Sequence, residues 1–313
     1  MKLIILGNGF DLHHGLSTSF SNFRNHLLNS KNESDVLLCK NIDKILSNQN
    51  LPIDKHLLWN DYERAFGQVF SKSLNVSLNG VKTYDLTEQF VENFYEYLKK
   101  ENEKKINILN PKIKEIFNDA DCILTFNYTD SYKSYLPSDK NIEIFHIHGK
   151  LELQDLPIIG YYYPKILRNT SLDYIERYKG FGFHKPALAF KQNEIEFEKR
   201  LAIFQRNWKN KFSEIISIGY SYGESDSHIY EILNTIILPQ TNIQRVPKSK
   251  ADEIPIINFK LFKYNEDEFN KTVDKIQSEF FKRHKRNSTL DITGAGTFRA
   301  EKKDIIKFSP IEY

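Results

Sequence analysis

Four short clusters combine glycine with side chains able to exchange protons or bind hydroxyls. They are Gly7-Asn8-Gly9-Phe10-Asp11, Thr125-Phe126-Asn127-Tyr128-Thr129-Asp130, His146-Ile147-His148-Gly149 and Gly219-Tyr220-Ser221-Tyr222-Gly223-Glu224-Ser225-Asp226. A side-chain amide such as Asn127 can orient a sugar hydroxyl or an attacking water. His148 offers an imidazole, the side-chain type that exchanges protons near neutral pH, which suits a general base. Gly7 and Gly9 permit a sharp turn and a close approach to a phosphate, whose charge the N–H groups of a following helix favour. Asn8, Asp11 and Asp130 add polar contacts beside these turns. Gly219, Ser221 and Asp226 form a second turn able to hold phosphate or ribose. Each cluster also has a plainer reading: a glycine turn, an Asx cap at Asn127 or Asp130, a hydrogen-bonded core histidine at His146.

The elements that must carry these residues are strands. Apolar, β-prone runs occur at Leu3–Leu6, Cys122–Phe126, Ile142–Ile147, Glu214–Ile218 and Ile256–Phe262. The first four run straight into the four clusters. Helical spacing marks 194–212, 227–237 and 268–281, so strands alternate with helices. That pattern predicts an α/β protein with a Rossmann-like, mostly parallel sheet and helices on both faces. In such a sheet ligands bind beyond the carboxyl ends of the strands, so all four clusters are expected at one crevice. Between the first and second strands, about 17–111, the pattern is helical and polar with no strand signal, and it predicts a large insertion or cap. Residues 287–313 lose periodicity and read as an appended tail to a 1–286 domain, although 305–308 could add a strand.

Composition narrows the class. With 313 residues, 40% of them hydrophobic, the chain is long enough to build its own core. The 44 basic against 41 acidic residues leave a net charge of +3, too small for a dedicated nucleic-acid binder. Cys39 and Cys122 are the only cysteines, too few for a disulfide framework or a four-thiolate zinc site. The opening apolar run is too short for a signal peptide and no stretch approaches the ~20 residues of a membrane span, so a cytoplasmic protein is expected.

Three other chemistries fit less well. A dinucleotide fingerprint wants a third glycine where Leu12 stands. Gly-Tyr-Ser-Tyr-Gly at 219–223 matches a hydrolase nucleophile elbow, but only His228 and His284 follow it and neither lies after a late strand. His146 and His148 could supply two metal ligands, but no matching cluster accompanies them, and no metal is expected. Trp59-Asn60-Asp61-Tyr62-Glu63 and the pair His13-His14 are secondary candidates for reaching the crevice.

Taken together, the opening run 7–20, the Trp59–Glu63 segment, Phe126-Asn127-Tyr128-Thr129, His146–Gly149 and Gly219-Tyr220-Ser221 with Asp226-Ser227-His228 resemble the bacterial abortive-infection AbiH family over about residues 1–280. That family in turn resembles the sirtuin-like, NAD-binding fold. Sirtuins carry a glycine-rich first turn, a Thr-x-Asn-x-Asp motif, a His-Gly motif and a Gly-x-Ser motif in this chain order. By that resemblance Thr125, Asn127 and Asp130 stand in the second motif, with Asp130 one position late. His148-Gly149 would be the third, with His148 as catalytic histidine, and Gly219 and Ser221 the fourth. The resemblance implies an antiphage protein that binds NAD and hydrolyses its N-glycosidic bond, with Asn127 and His148 catalytic. NAD would be its ligand or substrate, and a phage-derived trigger or a partner protein is expected. The alternative is a nucleotide-binding sensor or docking module without turnover.

Overall fold

Leu3, Ile4, Ile5 and Leu6 are completely buried in strand β1 (Lys2–Leu6). A strand with four consecutive buried apolar residues has no face to offer water, so it belongs in the middle of a parallel sheet. In the computed structural model, which describes residues 1–47, 77–78, 81–106, 109–151, 199–208, 211–222, 229–237, 257–263, 265–285 and 306–312, β1 lies there. The remaining strands are β2 (Ser77–Leu78), β3 (Val81–Lys82), β4 (Cys122–Thr125), β5 (Glu143–His146), β6 (Glu214–Ile218), β7 (Ile257–Lys263) and β8 (Ile306–Glu312).

Six of them form one all-parallel sheet in the order β5-β4-β1-β6-β7-β8. Numbered within the sheet by chain order this is 3-2-1-4-5-6, the doubly wound arrangement of dinucleotide-binding folds. Alternate residues of β1 feed two separate cores. Leu3 and Ile5 pack with Phe204, Trp208, Ile229, Leu233 and Ile276, while Ile4 and Leu6 pack with Phe10, Ile113, Phe117, Tyr132 and Tyr135. Helices therefore cover both faces, as the alternation of strands and helices predicts.

The helices are α1 (Asn8–His13), α2 (Phe20–Leu28), α3 (Glu33–Ser47), α4 (Thr83–Asn102), α5 (Pro111–Asp119), α6 (199–208), α7 (Ile229–Ile237) and α8 (Glu266–Lys285). Local chemistry sets several ends. Ser19 caps α2 by accepting from the Asn22 N–H at 3.1 Å, and Asn110 caps α5, with Pro111 in the first turn where its missing N–H costs nothing. In the 17–111 segment α2 and α4 meet through stacked and edge-on phenylalanines: Phe20 on Phe94 at 4.8 Å and Phe23 on Phe90 at 5.3 Å.

Four expectations are corrected. The 17–111 segment is not strand-free, since β2 and β3 pair in a two-rung antiparallel ladder. The Lys- and Asn-containing run 99–105, whose composition predicts a loop, is helical as far as Asn102. Strand β5 stops at His146, so His148 stands beyond the strand rather than at its end. Finally, the strand allowed at 305–308 runs longer, over 306–312: it pairs residue for residue with β7 over seven positions and forms one outer strand of the sheet. Trp59–Glu63 lies outside the described residues.

Candidate functional site

In this strand order the crevice opens where the winding reverses, between β1 and β6. The two turns that leave these strands are packed backbone against backbone. The Gly7 N–H donates to the Ile218 carbonyl at 3.0 Å and the Gly9 N–H to the Gly219 carbonyl at 2.8 Å. Gly219 has φ +65, and a Cβ there would lie 2.1 Å from the Phe10 nitrogen. A Cβ on Gly9 would meet the Gly219 Cα at 2.8 Å. The glycines thus let two turns touch. The Gly9 N–H, expected to face a phosphate, is already donated within the protein.

Asp11 ties this pair of turns to a third. It is 1% exposed and accepts from Asn127 Nδ2 at 3.1 Å, from the Thr129 hydroxyl at 2.6 Å and from the Ser131 hydroxyl at 2.5 Å. Burial lifts its carboxyl from 3.8 to about 6, while the Ser131, Thr129 and Asn127 donors pull it back. Because the Asn127 amide must turn its NH₂ to the carboxylate, its oxygen faces away. Asn127 is 4% exposed, and Oδ1 has no hydrogen-bond partner among the described residues. A buried carbonyl without a donor is costly and asks for an incoming hydroxyl, amide or water.

That residue lines a cleft of about 680 Å³, large enough for a nucleotide-sized ligand. Gly7, Asn8, Gly9 and Asp11 line it from the first turn and His148 from the third. Gly219 and Ser221 line it from the fourth. His148 is 3% exposed and its ring sits between Phe126 and Tyr128, with centroids 5.7 and 5.8 Å away. Gly149, at φ +97, lets the chain turn away immediately after it. Asn8 accepts from the Thr18 hydroxyl at 2.5 Å, which draws the loop before α2 to the rim.

Asp130 is not part of this lining. Its carboxylate accepts from the Tyr132 hydroxyl at 3.0 Å, lies 3.7 Å from His146 Nε2 and meets Lys133 Nζ at 3.4 Å. His146, 2.8 Å from the same Tyr132 hydroxyl, is the bonded interior histidine its position suggests. His14 is likewise held inside, by the Phe10 carbonyl at 2.7 Å and the Tyr135 hydroxyl at 2.6 Å. Asp226, Ser225 and His228 lie outside the described residues. Among the described non-glycine residues of the fourth turn, the one with left-handed backbone is Tyr222, at φ +54, not Ser221. The residues that could complete a hydrolase elbow at Ser221, His228 among them, lie outside the described residues.

Several contributors have little signal in the sequence. Phe94 and Leu98 of α4 reach the cleft from the helical segment, and Glu268, Lys271 and Thr272 reach it from α8. Of the two hydroxyls that hold Asp11, Thr129 is visible in the sequence only as part of a polar turn, and Ser131 falls just past that cluster. Among the described residues no group of three His, Cys, Asp or Glu could hold a metal ion, and no helix is long and apolar enough to cross a membrane.

The raised Asp11 carboxyl makes a testable prediction. Between pH 4 and 6 the folded chain holds a proton there that the unfolded chain has lost, so rising pH removes stability, roughly 3 kcal/mol in full. Relative to Asp11→Asn, which cannot ionise, the wild type is expected to be about 1 kcal/mol better placed at pH 5 than at pH 7. Urea unfolding of both proteins at the two pH values checks this. A difference independent of pH would show that Asp11 titrates as an ordinary carboxylate.

A family model described as bacteriophage abortive infection AbiH matches residues 3–245, well over half of the chain. No curated protein matches it.

Proposed function

The chain belongs to the bacteriophage abortive infection AbiH family, and from that premise we propose that its cleft binds NAD or a related nucleotide and hydrolyses the bond between nicotinamide and ribose. The observation that carries this reading is the Asn127 carbonyl, buried at the cleft wall, fixed in direction by Asp11 and lacking a donor among the described residues. The doubly wound order supports it too, because such sheets take nucleotides at the point of reversal. The sirtuin-like relation belongs to the same proposal and rests on the Asn127, His148-Gly149 and Gly219/Ser221 motifs.

The chemistry needs few parts. As the bond from C1′ to the nicotinamide nitrogen breaks, its electron pair leaves with the base, which becomes neutral, and the ribose gains oxocarbenium character. A ribose hydroxyl donating to Asn127 Oδ1 then becomes more acidic, and that hydrogen bond strengthens in the transition state. Water adds to C1′ while His148 takes its proton and later releases it to solvent. Because the leaving group departs uncharged, no metal is needed to stabilise it.

The test follows nicotinamide release from NAD by the purified protein, with and without lysate of phage-infected cells. His148→Ala is expected to lower the rate about a hundredfold or more, with a separate folding cost of about 2–3 kcal/mol for the lost buried ring, read from the melting temperature. Full turnover without His148 would remove it from the mechanism. Nucleotide binding with no product under either condition would select the sensor reading instead.

A further inference from the structure

We infer that Lys271, on the second turn of α8, is the phosphate anchor of the cleft, and that the ligand lies along the sheet edge with its reacting sugar at Asn127 and His148 and its phosphates across the β1/β6 junction. The inference rests on the nucleotide reading above and adds a direction and a recognition residue to it.

The first turn offers a phosphate little. The Gly9 N–H donates to the Gly219 carbonyl and the Phe10 N–H to the Gly7 carbonyl, so the glycine turn has little left to cradle an anion. Helix α1 has six residues, and the acidic side chain in its first turn, Asp11, is buried in the cleft wall and would repel an anion there. Charge must come from elsewhere. Among the described residues that line the cleft, Lys271 carries the only fixed positive charge, against Asp11 and Glu268. The extreme end of α8 is closed to anions by Glu266, Asp267 and Glu268, which leaves the lysine one turn further in, where Thr272 also lines the cleft.

Position then gives the direction. His148 follows β5 and Asn127 follows β4, whereas Lys271 follows β7. From β5 to β7 the sheet runs β5-β4-β1-β6-β7, four steps of about 4.8 Å, so the cleft spans on the order of 19 Å. The β4 end is walled by the rings of Phe20, Phe94 and Tyr128, with Tyr128 edge-on to Phe94 at 5.8 Å. An aromatic base suits that end and a polyanion suits the other. A dinucleotide is long enough to reach from one to the other, and a nucleoside is not.

Calorimetry with two probes tests this: NAD, which carries the phosphates, and nicotinamide riboside, which does not. The wild type is expected to bind NAD at least tenfold more tightly than the riboside. Lys271→Ala should weaken NAD about tenfold and leave riboside affinity unchanged, Lys271→Glu should weaken NAD further, and Lys271→Arg should restore it. The NAD advantage should also shrink as salt is raised, and less so in Lys271→Ala. Because Lys271 is exposed on its helix, the variants should keep the wild-type melting temperature. Equal NAD affinity in wild type and Lys271→Ala overturns the anchor while leaving the nucleotide reading intact. A wild type that binds neither probe overturns both.

Discussion

An Asn127→Ala protein is expected to fold, to bind NAD more weakly and to release nicotinamide at least a hundredfold more slowly than the wild type. The magnitude follows from preorganisation. Removing one correctly aimed polar group from a water-poor site typically costs 10²–10³ in rate. Asn127 meets that description because its amide cannot choose its orientation: the Asp11 carboxylate, an acceptor only, takes the NH₂ at 3.1 Å and turns the oxygen outward. The folding cost is smaller, about 1–2 kcal/mol, since Asp11 keeps the Thr129 and Ser131 hydroxyls when the amide is lost. Melting temperature, NAD affinity and nicotinamide release measured on one preparation separate these effects. A variant with wild-type release would show that the buried carbonyl has no part in the chemistry.

Gly219→Ala should be the most damaging of the small substitutions, and its damage should be to the fold. The residue sits at φ +65, where an L side chain costs about 1–2 kcal/mol, and the added carbon would lie 2.1 Å from the Phe10 nitrogen. That neighbour is backbone, so the whole first turn must shift, and the Gly9 N–H bond to the Gly219 carbonyl goes with it. A total near 4 kcal/mol, or a fall of about 6 °C in melting temperature, is expected. Gly15→Ala supplies the control: φ there is +77, but a Cβ meets nothing within 4 Å, so only the backbone preference is lost, about 1 kcal/mol. If both variants melt alike, the contact between the two turns is not what holds the cleft mouth together.

Much of the architecture was legible because the inner strands are apolar and end abruptly in Gly, Asn or His. β1 and β6 are bounded in the fold where the apolar runs are bounded in the sequence. β8 was harder. Lys307, Ser309 and Pro310 interrupt its apolar residues, as an outer strand with one solvated edge permits, so its pattern resembles a loop. In the site, Asn127 and His148 could be singled out because polar side chains just past buried strands have few structural reasons to be there. What spacing cannot tell is which way a turn residue points. Thr129 faces Asp11 and the cleft, while Asp130, one residue on, faces Tyr132 and His146. Nor could the role of the glycines be read locally, since the partner of Gly9 lies at Gly219. Lys271 has no local signal at all; only the placement of β7 beside β6 brings its helix to the cleft.

The position of β1 has a consequence for biosynthesis. Its pairing partners lie far downstream, Leu3 opposite Cys122 and Lys2 opposite Glu214. A ribosome adding 5–20 residues per second takes roughly 10 to 40 s to travel from the first of these strands to β6. During that interval a stretch of unbroken greasy chain has emerged with one flank or both still bare, so a nascent-chain chaperone should be found on it. Any ribosome that stalls before residue 214 leaves a product with no crevice.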